Sequence, residues 1–353
     1  MTQAHMFFNG SVFSPVDSFA SAMVFKGDQV EWVGPDVSAE SIRDDSMTTT
    51  DLHDQLVAPG FVAAGLPIED SASAKDLAAR LISLGYTAAT LYVEPEVADE
   101  VDSVFRAAGL KTFIYLIADS ADFSTESRAH GVLIDPLNED AAAQVQAATA
   151  AKLKVAFLGA SPDRIDRAFE MISGYEGLTK LRASFRIDGL VEVTDEQIAR
   201  ALKLSVSLGF VSQTRESNDS VRRSISAGVA TVIGADAGAS TAALGWDLIR
   251  SFVIRQTPED QISARGAFNA TTRGAYRALG EANPASGQLA PGAPADFAIW
   301  QAAELIVQSG SASQVMFSED PRGRTSVLPA LDTDDQSELM SLTVDGQTVY
   351  SKS

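Results

Sequence analysis

The stretch VAFLGASPDRIDRAFEMISGY, residues 155–175, joins an apolar run, Val155 to Leu158, to a segment in which Ile165, Ala168, Phe169 and Ile172 recur at helical spacing. Residues three or four apart share one face of a helix, whereas a short unbroken apolar run suits a strand buried on both faces. The unit recurs along the chain. Apolar runs fall at Val57 to Ala63, Ala88 to Val93, Thr112 to Ile117, Val132 to Ile134, Val155 to Leu158, Ala183 to Ile187, Val206 to Val211 and Ala230 to Ile233. Each precedes a segment of helical period, such as AKDLAARLISLG after the first and DEQIARALKL after the sixth. Eight strand-helix units predict an α/β fold, a (β/α)8 TIM barrel. An open doubly wound sheet shares this periodicity, but its nucleotide-binding form wants G-x-G-x-x-G after an early strand, and the chain has none.

The two ends have another texture. Met6-Phe7-Phe8, Ala22 to Phe25, the turn Lys26-Gly27-Asp28 and Gln29 to Val33 predict a small antiparallel meander. Ala295 to Trp300, then a hairpin about Asp345-Gly346, give the far end the same character. The expectation is a small flanking β-sandwich domain built from both termini, residues 1–58 and 285–353, beside a barrel at residues 59–284.

Composition narrows the partners. With 27 Lys and Arg against 47 Asp and Glu, the net charge of -20 disfavours nucleic acid and anionic membranes, which reward clustered cations. The absence of cysteine removes disulfides, thiolate nucleophiles and Cys-based zinc sites. MTQAHMFFNGSVF does not read as a signal peptide, and no apolar stretch reaches the ~18 residues of a membrane span. A cytoplasmic protein is expected.

Barrels of this kind carry function at the C-terminal ends of their strands and in the loops that follow. Glu69, Asp135, Asp188 and Asp236 fall there. Convergent acids can hold a hard cation or divide acid and base roles. An aspartate after a strand equally serves as a helix cap or turn former, the favoured reading for Asp135 before Pro136. Arg186 and Arg215 can clamp an anionic substrate or pair with a neighbouring acid. Ser161, Ser212, Gln213 and Thr214 can donate to a ligand, and Tyr92 and Tyr115 either line a pocket or fill the core. The three histidines, His5, His53 and His130, lie away from the mouth and read as surface residues, so neither a two-histidine metal site nor a Ser-His-Asp triad can be assembled there.

Val57-Ala-Pro-Gly-Phe-Val62 resembles the lead-in to the first barrel strand of the amidohydrolase superfamily, where Pro-Gly-Phe runs on into Asp-x-His-x-His. Gly287 to Trp300 is similar to that family's return to its β-sandwich, and Ala270 to Gly280 resembles the helix before it. Arg186-Ile187-Asp188-Gly189 and Gly234-Ala235-Asp236 are similar to the Arg-Ile-Glu-His and Gly-Ser-Asp strand ends of amidohydrolase family 3, the branch containing N-substituted formamide deformylase.

The resemblance implies a divalent metal held by histidines and a lysine, yet the matching positions are Gly65 and Pro67, Gly131, Leu158 and Gly189. Asp236 alone is retained, at the position that takes a proton from metal-activated water. A metal lowers the pKa of its water from about 15.7 to about 7, which a lone aspartate cannot do. The resemblance therefore implies a degenerate member with no metal and no cofactor, a non-catalytic or non-metal homologue. It would bind a small molecule or partner at the mouth through Glu69, Tyr92, Arg186, Asp188 and Gln213. Homodimerisation follows only by analogy with relatives. The alternative is an active hydrolase of non-peptide carbon–nitrogen bonds, with Asp236 as the catalytic residue and either no metal or one held by carboxylates.

Overall fold

Eight parallel strands follow one another around the central sheet in chain order: Phe61–Ile68, Tyr86–Val93, Lys111–Ile117, Gly131–Ile134, Lys154–Leu158, Arg186–Leu190, Ser207–Phe210 and Thr231–Ile233. They are seen in a computed structural model that describes residues 3–119, 128–212, 219–236, 243–255, 257–306, 326–332 and 337–352. The sheet curls into a TIM-like near-barrel. Among the described residues no ladder joins its first and eighth strands; the Val62 N–H donates to the Thr271 carbonyl, and helix Arg273–Ala278 contacts both strands.

Two expected strands shift. The first apolar run divides at Gly60, with Leu56–Pro59 in a flanking sheet and Phe61–Ile68 in the barrel. A Cβ at Gly60 would strike the Thr87 side chain, so the crossing point admits only glycine without rearrangement. The sixth strand begins later than expected, because Ala183 closes the helix Gly177–Ala183. Asp188 therefore lies within the strand, with Arg186 at its start, rather than just beyond its end.

Alternation sorts each strand into two faces. Ile187, Leu208, Phe157, Leu116 and Leu91 pack outward beneath the helices. Val62, Ala64, Tyr92, Tyr115, Leu133, Ala156 and Val232 point inward and pack as a separate cluster. The inward positions pair small residues with large ones: Gly131 leaves the space that Tyr115 occupies, and Gly209 the space that the Asp188 carboxylate occupies.

The ends of the chain flank this barrel as two sheets. A five-stranded sheet, ordered Gln347–Ser351, Glu338–Val344, Phe297–Gln301, Leu56–Pro59 and Ser11–Val12, draws on both ends. A four-stranded sheet contains the expected antiparallel strands Ala4–Phe8, Ala22–Lys26 and Gln29–Gly34, with Thr48–Asp51 added in parallel. Phe7, Met23, Val57 and Phe297 belong to one apolar cluster built from both sheets. Among the described residues no helix is long and apolar enough to cross a membrane.

Candidate functional site

Arg186 and Asp188 are two residues apart in the sixth barrel strand and so share its inward face. Both are buried, at 1% and 0% exposure, as are Tyr92 at 1% and Tyr115 at 0%. The Arg186 Nε lies 2.7 Å from Asp188 Oδ2, and its Nη2 donates to the Ala64 carbonyl at 2.6 Å. The same Asp188 oxygen accepts the Tyr92 hydroxyl proton. The Arg186 guanidinium carbon sits 5.9 Å from the centre of the Tyr115 ring, which meets Tyr92 edge to face at 6.1 Å. Asp188 Oδ1 lies over Gly209, where any Cβ would collide with it. An arginine, an aspartate and two tyrosines thus fill the middle of the barrel.

Burial raises the Asp188 carboxyl, while Arg186 and the Tyr92 hydroxyl pull it back. Burial also works against the Arg186 charge, but Asp188 and the two tyrosines outweigh it and keep the guanidinium protonated. The Tyr92 hydroxyl is pushed well up by burial and by Asp188, and Tyr115 rises chiefly through burial. Arg186 therefore pairs with an acid, the second of its two expected roles. Tyr92 and Tyr115 are core residues.

The rim is more open. Glu69 is exposed, one residue beyond the first strand, and Asp70 caps the next helix through a reciprocal pair of bonds with Ser73. Asp135 forms the expected turn, accepting from the Leu137 N–H at 3.0 Å. It also takes a two-pronged contact from Arg164, at 3.0 and 2.7 Å, which lowers its pKa. Asp236 is buried just past the eighth strand, and Ser212 engages both of its oxygens: the backbone N–H reaches Oδ1 and the hydroxyl reaches Oδ2, each at 2.7 Å. Burial raises the Asp236 carboxyl and the two Ser212 bonds oppose the rise. Gln213, Thr214 and Arg215 lie outside the described residues.

The structure corrects the surface reading of His130. Its ring packs against Phe113 at 5.0 Å and Tyr115 at 5.7 Å, its Nε2 lies 3.2 Å from the Leu279 carbonyl, and burial lowers its pKa to about 4. His5 is half-buried against Phe7 and Phe25, while His53 is exposed. Sequence position makes Ser212 a possible ligand donor; its hold on Asp236 depends on the meeting of two strand ends, which spacing does not reveal.

The amidohydrolase family model matches residues 104–343. Among solved structures the chain is similar to a triazine hydrolase from Arthobacter aurescens, with a TM-score of 0.69 and 12% identity, covering 99% of this chain and 95% of that one. It is also similar to an N-isopropylammelide isopropylaminohydrolase from Burkholderia multivorans, at TM-score 0.68 and 14% identity, with 98% of both chains covered. The guanine deaminase of E. coli aligns over 100% of both chains at TM-score 0.67 and 16% identity. At these identities the likeness is one of fold. No curated protein matches the chain.

Proposed function

The chain belongs to the amidohydrolase family, and on that premise we propose that it is a metal-free member that binds a small molecule at the barrel mouth without hydrolysing it. The supporting observation is the buried cluster of Arg186, Asp188 and Tyr92. A histidine or lysine ligand inside a barrel needs room, and two of the matching glycines, Gly65 at a histidine position and Gly131 at the lysine position, have none. A Cβ at Gly65 would lie 2.6 Å from the Tyr92 hydroxyl oxygen, and one at Gly131 would lie 2.5 Å from a Tyr115 ring carbon. Leu158 offers no donor. Arg186 already places a fixed positive charge in this interior, and a second cation would meet it across a medium of low dielectric. The two inner carboxylates are engaged, Asp188 by Arg186 and Tyr92 and Asp236 by Ser212. Among the described residues no three His, Asp or Glu side chains are grouped to hold a metal. The residues present do not fit the family's metal.

Metal content by mass spectrometry, on protein purified without chelators or an affinity tag, tests the proposal. Expected is far less than one metal per chain, with no change in Asp236→Ala. About one zinc, iron or manganese per chain, lost in that variant, would overturn it.

A second reading, hydrolysis of a non-peptide carbon–nitrogen bond with Asp236 as base, has one observation in its favour. Burial raises that carboxyl towards the proton affinity a general base uses. If a hydrolytic activity is found and Asp236→Asn abolishes it, this reading replaces the first; if Asp236→Asn leaves the activity intact, Asp236 is not the base.

A further inference from the structure

On the face opposite the mouth, a groove of about 490 Å3 opens beside the starts of the last three barrel strands. Phe185, Ala201, Val206, Val229 and Ala278 contribute apolar groups to it, and Leu181 and Leu202 stand at its edge, 72% and 52% exposed. Among the described residues that line it, the only ionisable ones are Lys180 and Arg277, with no carboxylate, in a chain that carries 47 acids to 27 bases. Neither cation forms an ion pair among the described residues. A third, Lys154, sits behind the wall, its Nζ donating to Ser184 Oγ at 3.2 Å and to the Gly280 carbonyl at 3.5 Å, both groove residues. Glu281, whose charge acts on Lys154, lies past Gly280 and is not among the groove's described lining residues.

A trough whose apolar floor is edged by Ser184, Ser205 and Ser207, with two cations among its lining, has the volume and chemistry of a ligand pocket. We propose that this groove binds a small organic anion, a carboxylate or sulfonate attached to an apolar body, with the body in the trough and the anionic head between Lys180 and Arg277. Charge complementarity selects this occupant over a neutral one. It also selects against another face of the same chain docking through apolar contact alone, because the cations would remain unpaired. The inference stands independently of what the mouth binds.

The test uses 8-anilinonaphthalene-1-sulfonate, followed by its fluorescence, and its neutral analogue N-phenyl-1-naphthylamine. Saturable binding of about one sulfonate per chain is expected, displaced by octanoate and unchanged in Asp236→Asn. The double variant Lys180→Gln, Arg277→Gln should weaken the sulfonate roughly ten-fold, as loss of charge-assisted bonds requires, and leave the neutral analogue nearly unaffected. Leu202→Glu, at an exposed position, should weaken both probes, with circular dichroism reporting an intact fold. Absence of saturable binding, equal affinity in the double variant, or equal loss of both probes in it would overturn the proposal. So would binding that vanishes with self-association of the chain on dilution, which would assign the groove to a second copy.

Discussion

Between the two flanking sheets, Phe7, Met23, Val57 and Phe297 form an apolar layer; inside the barrel, equally sealed from water, an arginine faces an aspartate. The first core is held by area and volume, through many weak contacts that tolerate small changes of shape. The second depends on pairing. Each charge was taken out of water at a cost that only its partner offsets, so removing one partner leaves the other stranded. Fullness alone does not characterise a core; the consequence of a single substitution depends on what does the filling.

The largest test of that contrast sets Asp188→Asn against Met23→Leu. The first should cost roughly 3–5 kcal/mol by stranding the Arg186 charge, and the second about 1 kcal/mol or less as a volume-conserving exchange. Chemical denaturation of both variants measures the gap. Replacing the pair together, Arg186→Met with Asp188→Leu, should recover most of the loss; similar costs for Asp188→Asn and Met23→Leu would erase the distinction.

His130 sharpens the comparison through pH, since its ring packs on Tyr115 at the edge of the same interior. Its folded pKa is lowered to about 4 from 6.5 by burial. The unfolded chain therefore takes up this proton first as pH falls. The stability it contributes is whole above about pH 6.5 and is lost between there and pH 4, by roughly 3 kcal/mol in all. Denaturation midpoints across this window should slope more steeply in the parent than in His130→Gln; equal slopes would mean that the imidazole is hydrated.

Tyr92→Phe should cost about 2 kcal/mol, less than the loss of either charge, because it deletes one hydrogen bond to a charged acceptor and leaves the ion pair in place. A difference between parent and variant that disappears in Asp188→Asn would confirm that the hydroxyl acts through that carboxylate, and a double-mutant cycle measures this.

Much of the fold was legible because strand and helix periods differ and the eight runs alternate with helical segments. The positions of the acids were legible too, as residues near strand ends. Their roles were not. In a parallel barrel the inner face packs as a core and the outer face is covered by helices, so apolar character does not tell which way a side chain points. The sixth run, Ala183 to Ile187, starts and ends too early, which sets Asp188 just past the strand end instead of on its inner face beside Arg186.

By itself, the sequence determined the alternation of strands and helices, the β character of both ends, the excess of acid, and the absence of histidine from the positions that match the family's ligands. Those are matters of local period and composition. Tertiary structure alone decided that Tyr92 meets the Arg186–Asp188 pair, that Ser212 holds Asp236, and that His130 is partly buried against Phe113 and Tyr115. Each joins groups on different strands or on different faces, and burial sets both the strength of a charge contact and the cost of lacking one.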